Sequence, residues 1–422
     1  MQPWFIPMFY VSAAVVAGLA LPRFERAYLS DHALDMSVSS AQAYLSAAAS
    51  GMMALTGIVF AMAFVMVQFS AIAYSPRLVL WFARDRMMFH ALGLFTATFV
   101  YALFTLAWVD RGGTARVPLF SPALVGIMIV VSMLLFARLM QRLGDLQIGN
   151  VLHLVGDRAR AVIGDMFRPL DQASPASRAW EGAARHTRLG QATQTVKYFG
   201  KPRTIARLDV GSLVTLARQV GGTIVMACAV GDTLVEGAVL LRVHGAGTPL
   251  PEDALLSAVR LGRERTFEQD PKYPIRLLVD IAIKALSPAI NDPTTAVQTI
   301  DQLEDLLRRL GAAELDAGCV ADESSALRLV FPTPTWEDYL TLAFDEIRQF
   351  GSGSVQVLRR LRSALVGLAE SLPSEERAQA ARRYLEHLDH GIEASPFDVE
   401  DQRMARQEDR QGIGLSRNVD TT

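Results

Sequence analysis

Cysteine is scarce in this chain, and so is charge. Cys228 and Cys319 are the two thiols present, too few for a disulfide framework. Cys228 lies in an apolar run, where it reads as a small core residue. Of the seven histidines only His387 and His390 lie close together. No Cys or carboxylate cluster of metal-ligand spacing accompanies them, so no metal site is expected. Neither a phosphate-cradling glycine loop nor a G-x-S-x-G elbow occurs. Asp345 and Glu346 are neighbours on a helix and point apart, so they make no catalytic pair. The resulting expectation is no catalytic residue, no metal and no cofactor.

Charged residues make up 20% of the chain and apolar ones 51%, with a mean hydropathy of +0.23. That balance exceeds ordinary globular usage and points to a membrane fraction. A length of 422 residues suggests two or three domains. Residues 1–144 hold nine Arg against five Asp or Glu, a net of +4, and the overall −2 then leaves −6 for the remainder. A mildly acidic remainder argues against a nucleic-acid partner.

Four apolar segments precede that remainder. The first runs from Phe5 to Leu21, between Trp4 and the pair Arg23 and Arg26; no positive residue precedes it, so a retained helix is favoured over a signal peptide. A polar loop with Glu25, Asp31 and Asp35 follows. No charge then appears between Asp35 and Arg77, more than the ~20 residues a span requires. The span is expected at Ser50 to Ala73, with the Ala-rich start, Ala41 to Ala49, extending beyond the hydrocarbon or breaking. Ala54, Gly57, Ala61 and Gln68 share one stripe of this helix. Small residues at that spacing permit close helix approach, and a membrane glutamine favours a polar partner. Packing or the lining of an oligomeric pore would each use such a stripe. The third segment is Met87 to Val109, with Trp108 as an interface anchor and His90 in its first turn. The fourth, Leu119 to Met140, enters through Ser121-Pro122 and closes on Arg138 and Arg142. No segment has a charge near its middle, which disfavours a charge-relay transporter. Arg77, Arg84 and Arg86 in one loop, and Arg138, Arg142, Arg158 and Arg160 after the fourth exit, outweigh Arg111 and Arg116. This bias places the loop 74–86 and the soluble part in the cytoplasm.

The fold expected is therefore an α-helical membrane domain of four spans, then an α+β, mainly helical soluble domain with a small β subdomain. The pieces are residues 1–144 (membrane), 145–193 (connecting helix and linker), 194–246 (β subdomain), 247–391 (helical) and 392–422 (a tail expected to be disordered). Strands are expected at Val196–Phe199, Thr204–Leu208, Thr223–Val230 and Ala238–Val243, interrupted by a helix near 210–220 capped by Asp209. The turn Ala229 to Gly237 uses glycines for positive φ. Residues 252–267 read as a helix carrying Arg260, Arg263 and Arg265. Thr335 with Asp338 opens a helix to Phe350. Leu358, Leu361, Leu365, Leu368 and Leu372 follow a 3–4 spacing suited to helix pairing within or between subunits.

The most informative stretch is Pro274 to Leu310. Its first helix is apolar on nearly every side except for Arg276, Asp280 and Lys284, four apart on one stripe. Ser287 before Pro288 and Asp292 before Pro293 both read as helix starts. The second helix turns Val297, Ile300, Leu303, Leu307 and Leu310 inward and pairs Glu304 with Arg308 and Asp305 with Arg309. Arg263, Arg265, Arg276, Asp280, Lys284, Ser287, Asn291, Asp292 and Thr295 form the candidate polar or anion-binding pocket, for a small anionic ligand. The plainer reading is that the hinge residues only cap their own helices.

The run ALSPAINDPTTAVQTIDQL, preceded by LLVDIAIK and GRERTFEQDP and followed by LAFDEIRQFG, resembles the bacterial membrane-protein family known as domain of unknown function 2254. The resemblance extends from the first apolar segment to about Leu372. That family usually carries a basic stretch before its first apolar segment, whereas this chain opens at MQPWFIPMFY. The resemblance implies an integral protein of the bacterial inner membrane and brings no activity or catalytic residue. Three functions fit the sequence. First is a channel-like or gating homo-oligomer in the lipid bilayer with a cytoplasmic sensing domain. A scaffold without transport that docks a partner on the Leu358–Leu372 face is second, and an enzyme with its pocket at the 276–295 hinge third.

Overall fold

The computed structural model describes residues 4–28, 33–34, 36–73, 86–109, 117–144, 148–170, 189–316 and 318–414. Two compact units result, Met1–Asn150 and Val151–Thr422. The loop 74–85 with Arg77 and Arg84, the loop 110–116 and most of the linker before Thr193 lie outside the described residues.

The first unit holds the four apolar helices: α1 (Phe5–Tyr28), α2 (Val38–Ala73), α3 (Arg86–Val109) and α4 (Phe120–Gly144). Each contains a window long and apolar enough to cross a bilayer. A two-stranded ribbon, β1 (Ala33–Leu34) with β2 (Val117–Pro118), ties the loops together. Helix α3 packs against the other three, and on its buried face the small Ala91, Gly93, Ala97, Thr98, Ala102 and Thr105 alternate with Phe95, Tyr101 and Val109. Small side chains let helix axes approach where lipid offers no hydrophobic drive. A Cβ at Gly93 would lie 2.8 Å from the Tyr10 ring of α1. Thr56, Thr98 and Thr105 donate to the carbonyls of Met52, Leu94 and Tyr101, four residues back. These three threonine hydroxyls are thus satisfied within their own helices.

Helix α2 runs unbroken from Val38 through the Ala-rich Ala41–Ala49 to Ala73, so of the two expectations for that start the break does not occur. The Ala-rich start does not fray because Ala41, Leu45, Ala48 and Ala49 are buried inside the unit. At 36 residues the helix is roughly 54 Å long, well over the ~30 Å hydrocarbon thickness.

Glu25 also departs from the sequence reading. It belongs to α1 rather than to a loop, and is only 3% exposed. Its carboxylate accepts the backbone N–H groups of Phe120 and Ser121 and the Ser121 hydroxyl, at the start of α4. An acidic group there satisfies orphan donors and faces the positive end of the helix dipole. Glu25→Ala should cost about 2 kcal/mol, because it strands those donors. Thermal unfolding in detergent checks this; an unchanged midpoint would remove Glu25 as the clamp between α1 and α4.

In the second unit, α5 (Ile148–Met166) leads to the β part. There β3 (Ala192–Lys197), β4 (Arg203–Leu208), β5 (Thr223–Met226), β6 (Thr233–Leu234) and β7 (Val239–His244) surround α6 (Val210–Gln219). Asp209 caps α6 by accepting the Ser212 N–H. The β part does not end at residue 246, however. Residues 252–267 are not one helix but α7 (Glu252–Ser257), strand β8 (Val259–Gly262) and a loop. Strand β8 pairs with β4, and β4 with β6. Farther along, β9 (Cys319–Ala321) and β10 (Leu327–Val330) extend the other sheet, with the order β3-β7-β5-β10-β9. Strand β10 runs parallel to β5. Ile205, Leu208, Ile224, Leu240, Val243 and Leu329 form the core of this part.

The helical part comprises α8 (Lys272–Ala285), α9 (Pro293–Gly311), α10 (Trp336–Phe350), α11 (Val355–Ser371), α12 (Glu375–Glu393) and α13 (Val399–Ala405). The periodicity of α9 holds: Val297, Ile300, Leu303, Leu307 and Leu310 are buried. Thr335 and Asp338 form the reciprocal cap of α10. Leu358, Leu361, Leu365 and Leu368 are buried within the chain, where α11 packs on α9 and α12. That face is therefore occupied and is no partner-docking surface. The tail reading is corrected too. Residues 399–405 are helical, and Asp409, 1% exposed, gathers the N–H groups of Gln411, Gly412 and Gly414. Gln356 and Arg359 of α11 donate to the carbonyls of Gly412 and Gly414. A short polar segment holds its shape here because one buried carboxylate organises three backbone donors. Residues 415–422 of the tail lie outside the described residues.

Candidate functional site

The hinge between α8 and α9 spends its donors internally. The N–H groups of Ile290 and Asn291 reach the Ser287 carbonyl, and that of Asp292 reaches Ala285. Ser287 does not start a helix: its hydroxyl donates to the Lys284 carbonyl and closes the C-terminus of α8, and residues 287–290 form a turn. Asn291 takes φ 50°, a left-handed conformation that asparagine tolerates. Asp292 caps α9 by accepting the Thr295 N–H at 3.1 Å and the Thr295 hydroxyl at 2.6 Å. Of two expected helix starts, only the second is one.

The charged stripe of α8 faces α10. Arg276 Nε donates to Asp280 at 2.7 Å, and its two terminal nitrogens grip both oxygens of Glu346. The Arg276 hydrogen bonds pull the Glu346 carboxyl below its ordinary value. Burial depresses the Lys284 ammonium. Arg263 is exposed, and Arg265 donates to the Gly231 carbonyl at 3.0 Å. The candidate pocket residues thus serve separate local roles: a helix-to-helix seam, a turn and two caps.

A neighbouring acidic group was not legible in the sequence. Asp270, just before α8, is 2% exposed, and neither of its oxygens accepts a well-formed hydrogen bond. Arg265 approaches to 3.8 Å, and the N–H groups of Lys272 and Tyr273 point toward it more loosely. Burial pushes its carboxyl above the usual range. A Cβ at Gly231, where φ is +91°, would stand 2.4 Å from Asp270 Oδ2. The hydroxyl of Tyr339 is likewise buried without a partner. A carboxyl whose folded value is raised weakens the fold above that value and relieves it as pH falls. Asp270→Asn should accordingly stabilise the body at neutral pH by about 1 kcal/mol and shrink the gain on acidification. Denaturant unfolding at pH 7 and pH 5 reads both; a loss of stability at pH 7 would contradict it.

A polar cavity of about 390 Å³ lies beside α9 and α11. Glu304, Arg308, Arg360, Ser363, Ser371 and Arg410 line it, with Gly367 and Glu370. Both Glu304 oxygens are engaged, one by Arg308 at 2.6 Å and the other by Arg360 at 2.5 Å. Arg360 also donates to Asp301 at 2.7 Å. The sequence placed Glu304 and Arg308 as a pair on the outer face of α9. The 3–4 spacing of Arg360, Ser363, Gly367 and Ser371 along α11 was the available signal that a polar face opposes it. Among the described residues no group of His, Cys, Asp and Glu is arranged to hold a metal.

The sequence model of the family described as Predicted membrane protein (DUF2254) matches residues 2–366. An uncharacterized protein of Mycobacterium bovis is 27% identical over 402 residues, covering 90% of this chain and 74% of its own length. An uncharacterized protein of Mycobacterium tuberculosis H37Rv has the same identity and coverage. No solved structure matches the chain.

Proposed function

The chain belongs to the family Predicted membrane protein (DUF2254), and we propose, from its own α2, that it is a channel-like homo-oligomer whose α2 lines a gated path and whose body after Asn150 senses a ligand. The arginines after α4 and before α3 support a cytoplasmic body at the bacterial inner membrane. The observation that carries the reading is the placement of one stripe. Ala54, Gly57, Ala61 and Gln68 are all exposed, whereas Met52, Thr56 and Val59 on the opposite side are buried. At about 100° per residue the two sets lie on opposed faces of α2. A Cβ at Gly57 would meet nothing within 4 Å. Small residues with a carboxamide at the end are unusual on a face turned to lipid, and the exposed Phe60 and Phe64 flank them along one edge. A second copy, or water held between copies, would complete it.

Ion flux through liposomes holding the purified full chain tests the proposal. The expected result is a conductance gated by tension, voltage or ligand, reduced by a bulky Gly57→Phe. Silence under all three stimuli would overturn it.

A further inference from the structure

We infer that the cavity beside α9 and α11 binds a phosphate group, and that the bound group holds the 406–414 segment in place through Arg410. Arg308, Arg360 and Arg410 line the cavity with Glu304 and Glu370, and Arg360 also holds Asp301, so the charges around the cavity balance and what is left over is a hydrogen-bond donor. That donor is specific. Arg360 is 5% exposed, and its Nη1 is buried with no hydrogen-bond partner. A buried guanidinium N–H left unmade is costly, and an oxyanion is the acceptor that would satisfy it. Ser363, 4% exposed, adds a hydroxyl to the wall, that of Ser371 being taken up by the Gly367 carbonyl and Arg308, and the volume of about 390 Å³ suits a small ligand. Lining of this kind favours a phosphate over an apolar compound.

The third cation comes from the far end of the chain. Arg410 is exposed and has no ion pair among the described residues. It reaches the wall because Asp409 and the Gln356 and Arg359 contacts fix the segment around it. A phosphate between Arg360 and Arg410 would join α11 to this segment. Binding would then be linked to docking of the segment, each strengthening the other. The inference does not depend on the membrane unit conducting anything, so a silent flux assay and a silent binding titration are separate failures.

The test is calorimetric titration of the full chain in detergent with inorganic phosphate and pyrophosphate, and in nanodiscs of phosphatidylcholine with or without phosphatidic acid. Saturable binding is expected, weakened about tenfold in Arg410→Ala and largely restored in Arg410→Lys, the effect of one charge-assisted contact. Ligand should also protect the bonds after Arg406 and Arg410 from trypsin. Response to the soluble anions alone would identify a free phosphate ligand, and response to phosphatidic acid alone a lipid headgroup; both support the inference. No saturable response to any probe would overturn it. Equal affinity in wild type and Arg410→Ala would also overturn it, since unfolding at this exposed position is checked by an unchanged melting midpoint.

Discussion

Leu303→Ala is expected to destabilise the body by about 3 kcal/mol, within the 2–5 kcal/mol span of buried leucine truncations. Leu303 is completely buried on α9, between Ile300 and Leu307, where α8 and α11 close over it. The removed methyl groups lose their burial, and tightly packed helices on both sides leave a cavity rather than collapse. Arg309, two turns on and half exposed in its pair with Asp305, supplies the control. Arg309→Ala should change stability by no more than about 0.5 kcal/mol. Denaturant unfolding of the full chain, followed by a probe in the body, reads both. Similar costs for the two substitutions would mean that α9 does not anchor the helical part.

Arg276→Met should cost about 2 kcal/mol, less than the 3–5 kcal/mol of a fully buried pair because solvent screens part of it. Glu346 is 39% exposed and Asp280 only 16% exposed; the variant leaves both carboxylates beside an apolar side chain. The loss should depend on pH. Glu346 is held below its ordinary value of 4.5 chiefly by the Arg276 hydrogen bonds. A lowered carboxylate stabilises the fold above its unfolded value, and that stabilisation vanishes as pH falls through the folded value. The gap between wild type and Arg276→Met should therefore be full near neutrality and narrow in acid below pH 4.5. A gap independent of pH would assign the cost to packing of the arginine stem instead.

Legibility followed the physics of each element. Helices α9 and α10 could be read because every cue agreed: a capping residue, a regular apolar period and charges at i,i+4 outside. The four membrane helices were evident from uninterrupted apolar runs. Strand β8 was hidden because Val259–Gly262 follows directly on a helix turn and is too short to show alternation. Strands β9 and β10 belong to a sheet whose other members lie about a hundred residues earlier, a pairing no local pattern encodes. The 406–414 segment looked like a charged tail, since one buried aspartate organising backbone donors leaves no periodic trace. Ser287-Pro288 misled because a serine that caps the end of one helix looks the same as a serine that starts the next. Within the candidate site, the Arg276 stripe was legible from spacing, but its partner Glu346 was not, lying 70 residues away.

Thiol accessibility along α2 tests the central claim most directly. In a background with Cys228 and Cys319 replaced by alanine, single substitutions Gly57→Cys, Ala61→Cys and Gln68→Cys would be compared with Val59→Cys and Phe60→Cys in membranes. A water-soluble, membrane-impermeant thiol reagent should modify the three stripe positions, spare Val59→Cys beneath its neighbouring helix, and spare Phe60→Cys in lipid. Stripe positions as unreactive as Phe60→Cys would contradict the account, because that face would then look onto hydrocarbon alone.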